Sequence, residues 1–231
     1  IWLDASVNEA LWSKGKFTIP SHVSPEAADL INQVLVVDPV LLVGCVVALL
    51  MGGLAFSLAG DCFLMFPGFF IPGLVSFLIA HLFYIALFRQ GVAWFPSLRA
   101  LVITLGFGVA MYAFLFNGLN QVLRVAVAAY VVVIALMAAQ AIGRATVLRD
   151  KASISVAVGA GFFMASDALL ATNKFAFPLP MAQFWVLATY YAAQLLIVCN
   201  AQSVIAGLTR NPSHDGHALG RAAMDPGSSP G

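Results

Sequence analysis

The order of hydrophobic and polar positions divides the chain into three parts. Residues 1–38 are polar compared with the rest of the chain. Asp4, Glu9, Lys14, Lys16, Glu26 and Asp29 interrupt every apolar run, so neither a signal peptide nor a membrane span fits there. Within this part Ser24-Pro25-Glu26 reads as a helix start, a capping hydroxyl followed by proline at the first helical position. It predicts a short surface helix over 25–37, and Asp38-Pro39 reads as a second start. Six apolar stretches then fill residues 39–206. Each is long enough to cross about 30 Å of hydrocarbon at about 1.5 Å per residue. They predict spans A (39–60), B (69–88), C (98–116), D (121–141), E (152–171) and F (182–206). The breaks fall at Pro67-Gly68, Pro96, Asn117-Gly118, a charged loop from Arg144 to Lys151, and Pro178 with Pro180. Residues 207–231 are rich in Gly, Pro, Ser and Asn, carry no apolar period, and predict a disordered tail.

Composition fixes the solvent. Of 231 residues, 61% are hydrophobic and 9% charged, with a mean hydropathy of +0.95. Soluble domains carry about 25% charged residues. So little polar surface cannot cover the chain in water, and an all-α, polytopic membrane bundle is the expected class. The basic residues check the span count. With six spans, one side holds Lys14, Lys16, Arg89, Arg99, Arg144, Arg149, Lys151, Arg210 and Arg221, and the other only Arg124 and Lys174. This bias predicts both termini in the cytoplasm, in a membrane such as the bacterial inner membrane. A net charge of +1 gives no electrostatic case for nucleic acid. Cys45, Cys62 and Cys199 stand singly in apolar runs and read as small buried hydrophobes without a disulfide.

Chemistry is expected where charge enters the apolar stretches. An aspartate near a helix centre costs about 2.5 to 3.5 kcal/mol on insertion scales. It persists where it pairs, lines a cavity or reacts. Asp61, at the end of span A, and Asp167, in span E, are the two candidates. Their contexts match: Phe56 to Leu64 reads FSLAGDCFL and Phe162 to Leu170 reads FFMASDALL, a weak internal repeat. Helical spacing gathers further polar groups. Ser57 shares a face with Asp61, His81 with Tyr84, and Tyr190 with Gln194; Ser166 and Tyr191 adjoin them. Under the six-span topology Asp61 and Asp167 lie toward the non-cytoplasmic end, His81, Tyr190 and Gln194 lie about halfway down, and the polar stripes can converge on one cavity. Structural readings stand beside this one. Asp61 can be wetted by the A–B loop, Asp167 can be interhelical hydrogen-bond glue, and His81 and the tyrosines can be packing residues. Gly52, Gly53, Gly159 and Gly161 are expected to allow close helix approach.

Several chemistries find no support. No GxSxG or HExxH motif occurs, no glycine loop cradles phosphate, and one intramembrane histidine does not make a zinc site. His214, Asp215 and His217 fall in the polar tail and read as solvated. No metal or cofactor is expected. What remains is acid/base work by carboxyl groups held away from water.

Three blocks carry a resemblance. SLAGDCFLMF (57–66) resembles an S-L-x-G-D-x-x-L element, and GLVSFLIAHLFYIALF (73–88) a G-x-x-x-F-x-x-x-H-x-x-Y element. VGAGFFMASDALLATNKF (158–175) with TYYAAQLLIV (189–198) resembles G-A-x-x-F-x-x-S-D and Y-Y-x-A-Q-x-L-I elements. These are elements of the YhhN family, the membrane proteins that include lysoplasmalogenase. The resemblance implies a multi-helix bundle that hydrolyses the vinyl ether bond of lysoplasmalogens. It places Asp61 and Asp167 on the family's two aspartates, and His81, Tyr84, Tyr190, Tyr191 and Gln194 on its polar positions. The family usually has about eight helices, two of them before the glycine–aspartate helix, and the polar residues 1–38 depart from that pattern. The substrate implied is a lysophospholipid taken from the membrane; no protein partner is implied. The rival reading is a small transporter, or a lipid-binding bundle, in which the same aspartates couple protons or cations.

Overall fold

The computed structural model describes Ser24 and residues 39–209. The helix expected over 25–37, and His214, Asp215 and His217, lie outside these residues. Six α-helices run in order: α1 Pro39–Leu64, α2 Phe70–Arg89, α3 Leu98–Leu115, α4 Gln121–Leu148, α5 Lys151–Phe175 and α6 Ala182–Thr209. A short 3-10 turn, Phe116–Gly118, joins α3 to α4. All six helices are long and apolar enough to cross a membrane, and among the described residues there is no strand. The chain is an integral membrane protein of the class its composition requires.

The predicted breaks hold, and polar side chains mark the starts. Ser97, Asn120 and Asp150 cap α3, α4 and α5, each accepting from a backbone N–H three residues on. Arg149, in the left-handed region at φ 55°, ends α4. Four helices, α1, α4, α5 and α6, run longer than expected, while α2 and α3 keep their expected bounds to within one residue. α1 passes through Asp61 to Leu64, so that carboxylate stands inside the last turn. α4 passes Arg144, which the charge pattern assigns to a loop, and continues to Leu148.

The reason α4 continues is a clamp. Gln140 and Arg144 are almost fully buried. The Gln140 amide accepts from Phe95 N at 2.8 Å and donates to Ala93 O at 3.1 Å. Arg144 donates to the carbonyls of Phe88 and Gln90. The last turn of α2 and the loop that follows it thus satisfy two polar side chains that would otherwise end the apolar run. At Gly143 the approach is close: an added Cβ would lie 2.9 Å from Pro96 Cδ.

The larger of two packed clusters centres on Phe77, Tyr84, Phe88, Phe163, Tyr190 and Ile197, and a smaller one joins Leu115, Leu119 and Val127. α2 lies against α1 through small residues. A Cβ at Gly53 would stand 2.6 Å from a Tyr84 ring carbon, so only glycine admits that ring. The Ser76 hydroxyl adds a 2.7 Å bond to Phe56 O across the same contact. Gly52 and Gly159 also face neighbouring helices closely. Gly161, expected to do the same, has nothing within 4 Å and faces outward. The cysteines are likewise corrected. Cys45, Cys62 and Cys199 are exposed on the apolar outer surface, where lipid rather than protein surrounds a small hydrophobe.

Candidate active site

Alternating helices bring one half of every span to the same end of the bundle. Asp61 sits three residues before the end of α1, and Asp167 eight before the end of α5. Tyr130 and Tyr190 lie in the first halves of α4 and α6, and His81 just past the middle of α2; all three helices start from that end. Helix register therefore places all five between that end and the middle of the bundle.

The side chains meet in two linked groups. In the first, Tyr190 Oη donates to Asp61 Oδ2 at 2.8 Å. Gln194 Nε2 donates to Tyr190 Oη at 3.2 Å, and Tyr84 Oη donates to Gln194 Oε1 at 2.8 Å. This chain runs from α2 through α6 to α1, and every donor in it points toward the Asp61 carboxylate. Each bond polarises the next. Buried Ser57 lies beside the Tyr84 hydroxyl without reaching hydrogen-bond geometry.

In the second group, Tyr130 Oη donates to Asp167 Oδ2 at 2.5 Å. His81, 1% exposed, turns Nε2 toward the same oxygen at 4.0 Å. The imidazole bonds the Phe77 carbonyl one turn back, and Nε2 has no hydrogen-bond partner. Its ring is held edge-on by Phe163 and Tyr130, at centroid distances of 4.7 and 5.4 Å. Ser166 directs its hydroxyl to Val186 O at 2.9 Å, tying α5 to α6 one residue before Asp167.

Both aspartates line one cleft between α1, α5 and α6, about 500 Å³ in volume. Asn173, Gln183, Tyr190 and Tyr191 supply its other polar walls. Tyr191 is 62% exposed and stands at the rim, so it joins neither hydrogen-bonded group. Asp167 also borders a second pocket, of about 70 Å³ and almost wholly apolar, between α2, α3, α4 and α5. Among the described residues no three His, Cys, Asp or Glu side chains come close enough to hold a metal ion.

Sequence reasoning named nine of these side chains and missed Tyr130. The available signal was a lone phenol in the run VAVAAYVVV (125–133) of α4. A tyrosine inside lipid-spanning sequence needs a partner for its hydroxyl, and that need points to a carboxylate. The aspartate motifs are also placed alike. Gly53 and Gly159 each stand eight residues before their aspartate, and each lets the next polar helix approach.

Comparison with known proteins decides the family. The model of the YhhN family matches residues 34–201, which include both aspartates and every helix of the site. The chain belongs to the YhhN family. This YhhN protein is 35% identical over 154 residues to Lysoplasmalogenase TMEM86A of Homo sapiens, a match covering 64% of this chain and 63% of that relative. It is 36% identical over 153 residues to Lysoplasmalogenase TMEM86B of Mus musculus, covering 66% and 63%. With the TMEM86B relative of Sus scrofa it shares 37% over 150 residues, covering 65% and 62%. The chain thus spans less than two thirds of the length of these relatives. No solved structure matches this YhhN protein.

Proposed function

We propose that this protein is a membrane-embedded hydrolase that cleaves the vinyl ether bond of lysoplasmalogens, with Asp61 and Asp167 as its acid/base pair. The observation that carries the proposal is the pair of carboxylates on the walls of one cleft, each holding a tyrosine hydroxyl on one oxygen. The names of its relatives agree with it.

The chemistry divides into two stages, hydration of the vinyl ether and collapse of the hemiacetal. Water adds across R–CH=CH–O–R′ to give the aldehyde R–CH2–CHO and the alcohol HO–R′. The first transfer puts a proton on the vinyl carbon remote from oxygen and leaves an oxocarbenium ion. Asp167 gives that proton, because it borders both the polar cleft and the apolar pocket. Asp61 takes a proton from water as that water attacks the cation. The resulting hemiacetal collapses when the Asp167 carboxylate takes its hydroxyl proton, which restores the acid, and the glycerol oxygen is protonated. Protonated Asp61 serves as the acid for that departure. Tyr130 and Tyr190 keep the second oxygen of each carboxyl turned to substrate, as positioning residues. The membrane is the bacterial inner membrane or its equivalent, with both termini on the cytoplasmic side by the distribution of basic residues.

Asp61→Asn and Asp167→Asn test the pair. Each is expected to lower aldehyde release from purified lysoplasmalogen at least about 1,000-fold, within the range that general acid/base catalysis supplies. Elution as a folded monodisperse species in detergent is expected to persist. Wild-type rates in either variant would remove that aspartate from the mechanism. Proton-driven flux in liposomes, with no aldehyde from the wild-type protein, would replace the hydrolase with a transporter.

A further inference from the structure

The apolar pocket beside Asp167 has a polarity that the cleft lacks. Its far wall is Gly108 and Met111 of α3 with Val131 and Ile134 of α4, and Asp167 and Ala171 of α5 stand opposite. Toward the end of the bundle it is closed by Phe70 and Phe175, whose rings meet edge to face at 5.3 Å. At this end of the bundle lie Arg124 and Lys174, the two basic residues that the six-span order assigns to this side. Lys174 Nζ rests 4.7 Å from the centre of the Phe70 ring. Arg124 rests 4.0 Å from the Phe116 ring and donates from Nε to Leu119 O. Neither makes an ion pair among the described residues.

The depths match a single-chain phospholipid. Lys174 follows Asp167 by seven residues, two turns on the same face of α5, or about 10 Å along the axis. Arg124 precedes Tyr130 by six residues, about 9 Å along α4. In a glycerophospholipid five bonds separate the ether oxygen from phosphorus, about 6 Å when extended. A flexible lysine side chain covers the remainder. A phosphate at the cations therefore brings an ether bond down to Asp167, and the chain beyond it meets only apolar walls. The pocket holds about five water-sized atoms. The rest of a long chain must leave past Phe107, which is half-exposed on the outer face of α3.

We propose that this pocket, and not the larger cleft, is the lipid slot: phosphate at Arg124 and Lys174, vinyl ether at Asp167, the first chain carbons between α3 and α4, and the chain end in the bilayer. The cleft on the other side of Asp167 then delivers water past Asp61. This rests on the hydrolase reading for the identity of the bond but not for the place of the lipid. It makes the pocket a gauge of bulk near the ether and not of total chain length.

Two measurements test it on the full chain in detergent or nanodiscs. The first uses a non-hydrolysable 1-O-alkyl glycerophosphoethanolamine with a diazirine at the fourth chain carbon. Adducts are expected on α3 and α4, around Met111, Val131 and Ile134. Adducts on α6 at Val186 or Leu187 would overturn the slot. The second compares aldehyde release by wild type and Arg124→Gln/Lys174→Gln on lysoplasmalogen and on the phosphate-free 1-alkenylglycerol. The penalty in kcat/KM is expected to be at least fivefold larger on the phosphate-bearing substrate; equal penalties would overturn the phosphate site. Labelling of α3 and α4 without turnover would sink the hydrolase and leave the slot. Turnover with labelling of α6 would do the reverse.

Discussion

Single side chains show how the site divides labour between reacting and holding groups. Tyr130 and Tyr191 are both tyrosines near the aspartates, yet only Tyr130 is buried and bonded to one. Tyr130→Phe removes that donor and keeps the ring. A hydrogen bond to a charged group is worth about 1.5–3 kcal/mol, so kcat for aldehyde release is expected to fall about 10- to 100-fold with thermal unfolding little changed. Tyr191→Phe, at the rim, is expected to stay within about twofold, since surface changes are usually within 0.5 kcal/mol. Equal effects of the two would contradict the placement of Tyr130. The contrast also shows what sequence could and could not reveal. Asp61 and Asp167 were legible because charge in an apolar run is costly, and few explanations cover it. Tyr130 was not, because a phenol among valines is tolerated in many spans and its partner lies 37 residues away. Tyr191 was grouped with the site through its neighbour Tyr190, and successive helical residues point about 100° apart.

At the scale of the helices, glycine and capping residues decide how closely the elements meet. Gly53→Leu would force a side chain into the Tyr84 ring, and overpacking of this kind costs about 1–3 kcal/mol. A lowered unfolding temperature in detergent, with lost activity, is expected. Gly161→Ala meets open space and replaces a poor helix former, so it is expected to be neutral or to stabilise by up to about 1 kcal/mol. The two glycines look alike in sequence because spacing alone does not say which face of α5 meets protein. The start of α5 makes a separate prediction. Asp150 Oδ1 accepts from Ser153 N at 2.7 Å, and Oδ2 from the Ser153 hydroxyl at 2.9 Å. The backbone bond, with the hydroxyl and Arg144 assisting, holds the Asp150 carboxyl below its usual range. A carboxylate depressed in the folded state stabilises above its unfolded value, about 3.9, and that contribution is lost as pH falls through the lower native value. Asp150→Ala is expected to cost about 1 kcal/mol at neutral pH. Asp150→Asn keeps an acceptor but does not titrate, so the wild type's advantage over it should vanish as pH falls through the depressed native value. A difference that is flat with pH would assign the cap no ionic part.

For the whole molecule, topology was the most legible property and helix length the least. Apolar runs and turn residues located all six spans, because lipid leaves the backbone no alternative to helix. The ends were misjudged where side chains find partners far along the chain, as Gln140 and Arg144 do on the last turn of α2 and the loop that follows it. Orientation remains a distribution of basic residues, and it is open to direct measurement. In a background lacking Cys45, Cys62 and Cys199, a membrane-impermeant maleimide is expected to label Lys174→Cys on intact cells and Arg149→Cys only after permeabilisation. The opposite pattern would invert the protein in its membrane and with it the leaflet that the site faces.

The clamp of Gln140 and Arg144 has a mechanical consequence. It stitches α2, α3 and α4 together at one end of the bundle, while the slot beside Asp167 lies between the same helices toward the other. The turn Phe116–Gly118 joins α3 to α4 at the far end as well, so the α3–α4 pair swings as one arm of a pair of tweezers against α2, and the gap grows with distance from the stitch. Bilayer thickness sets the angle at which spans cross the membrane. A membrane that thins or thickens therefore works the arms, and its effect on rate would be one of leverage on the opening and not of altered chemistry at the carboxylates.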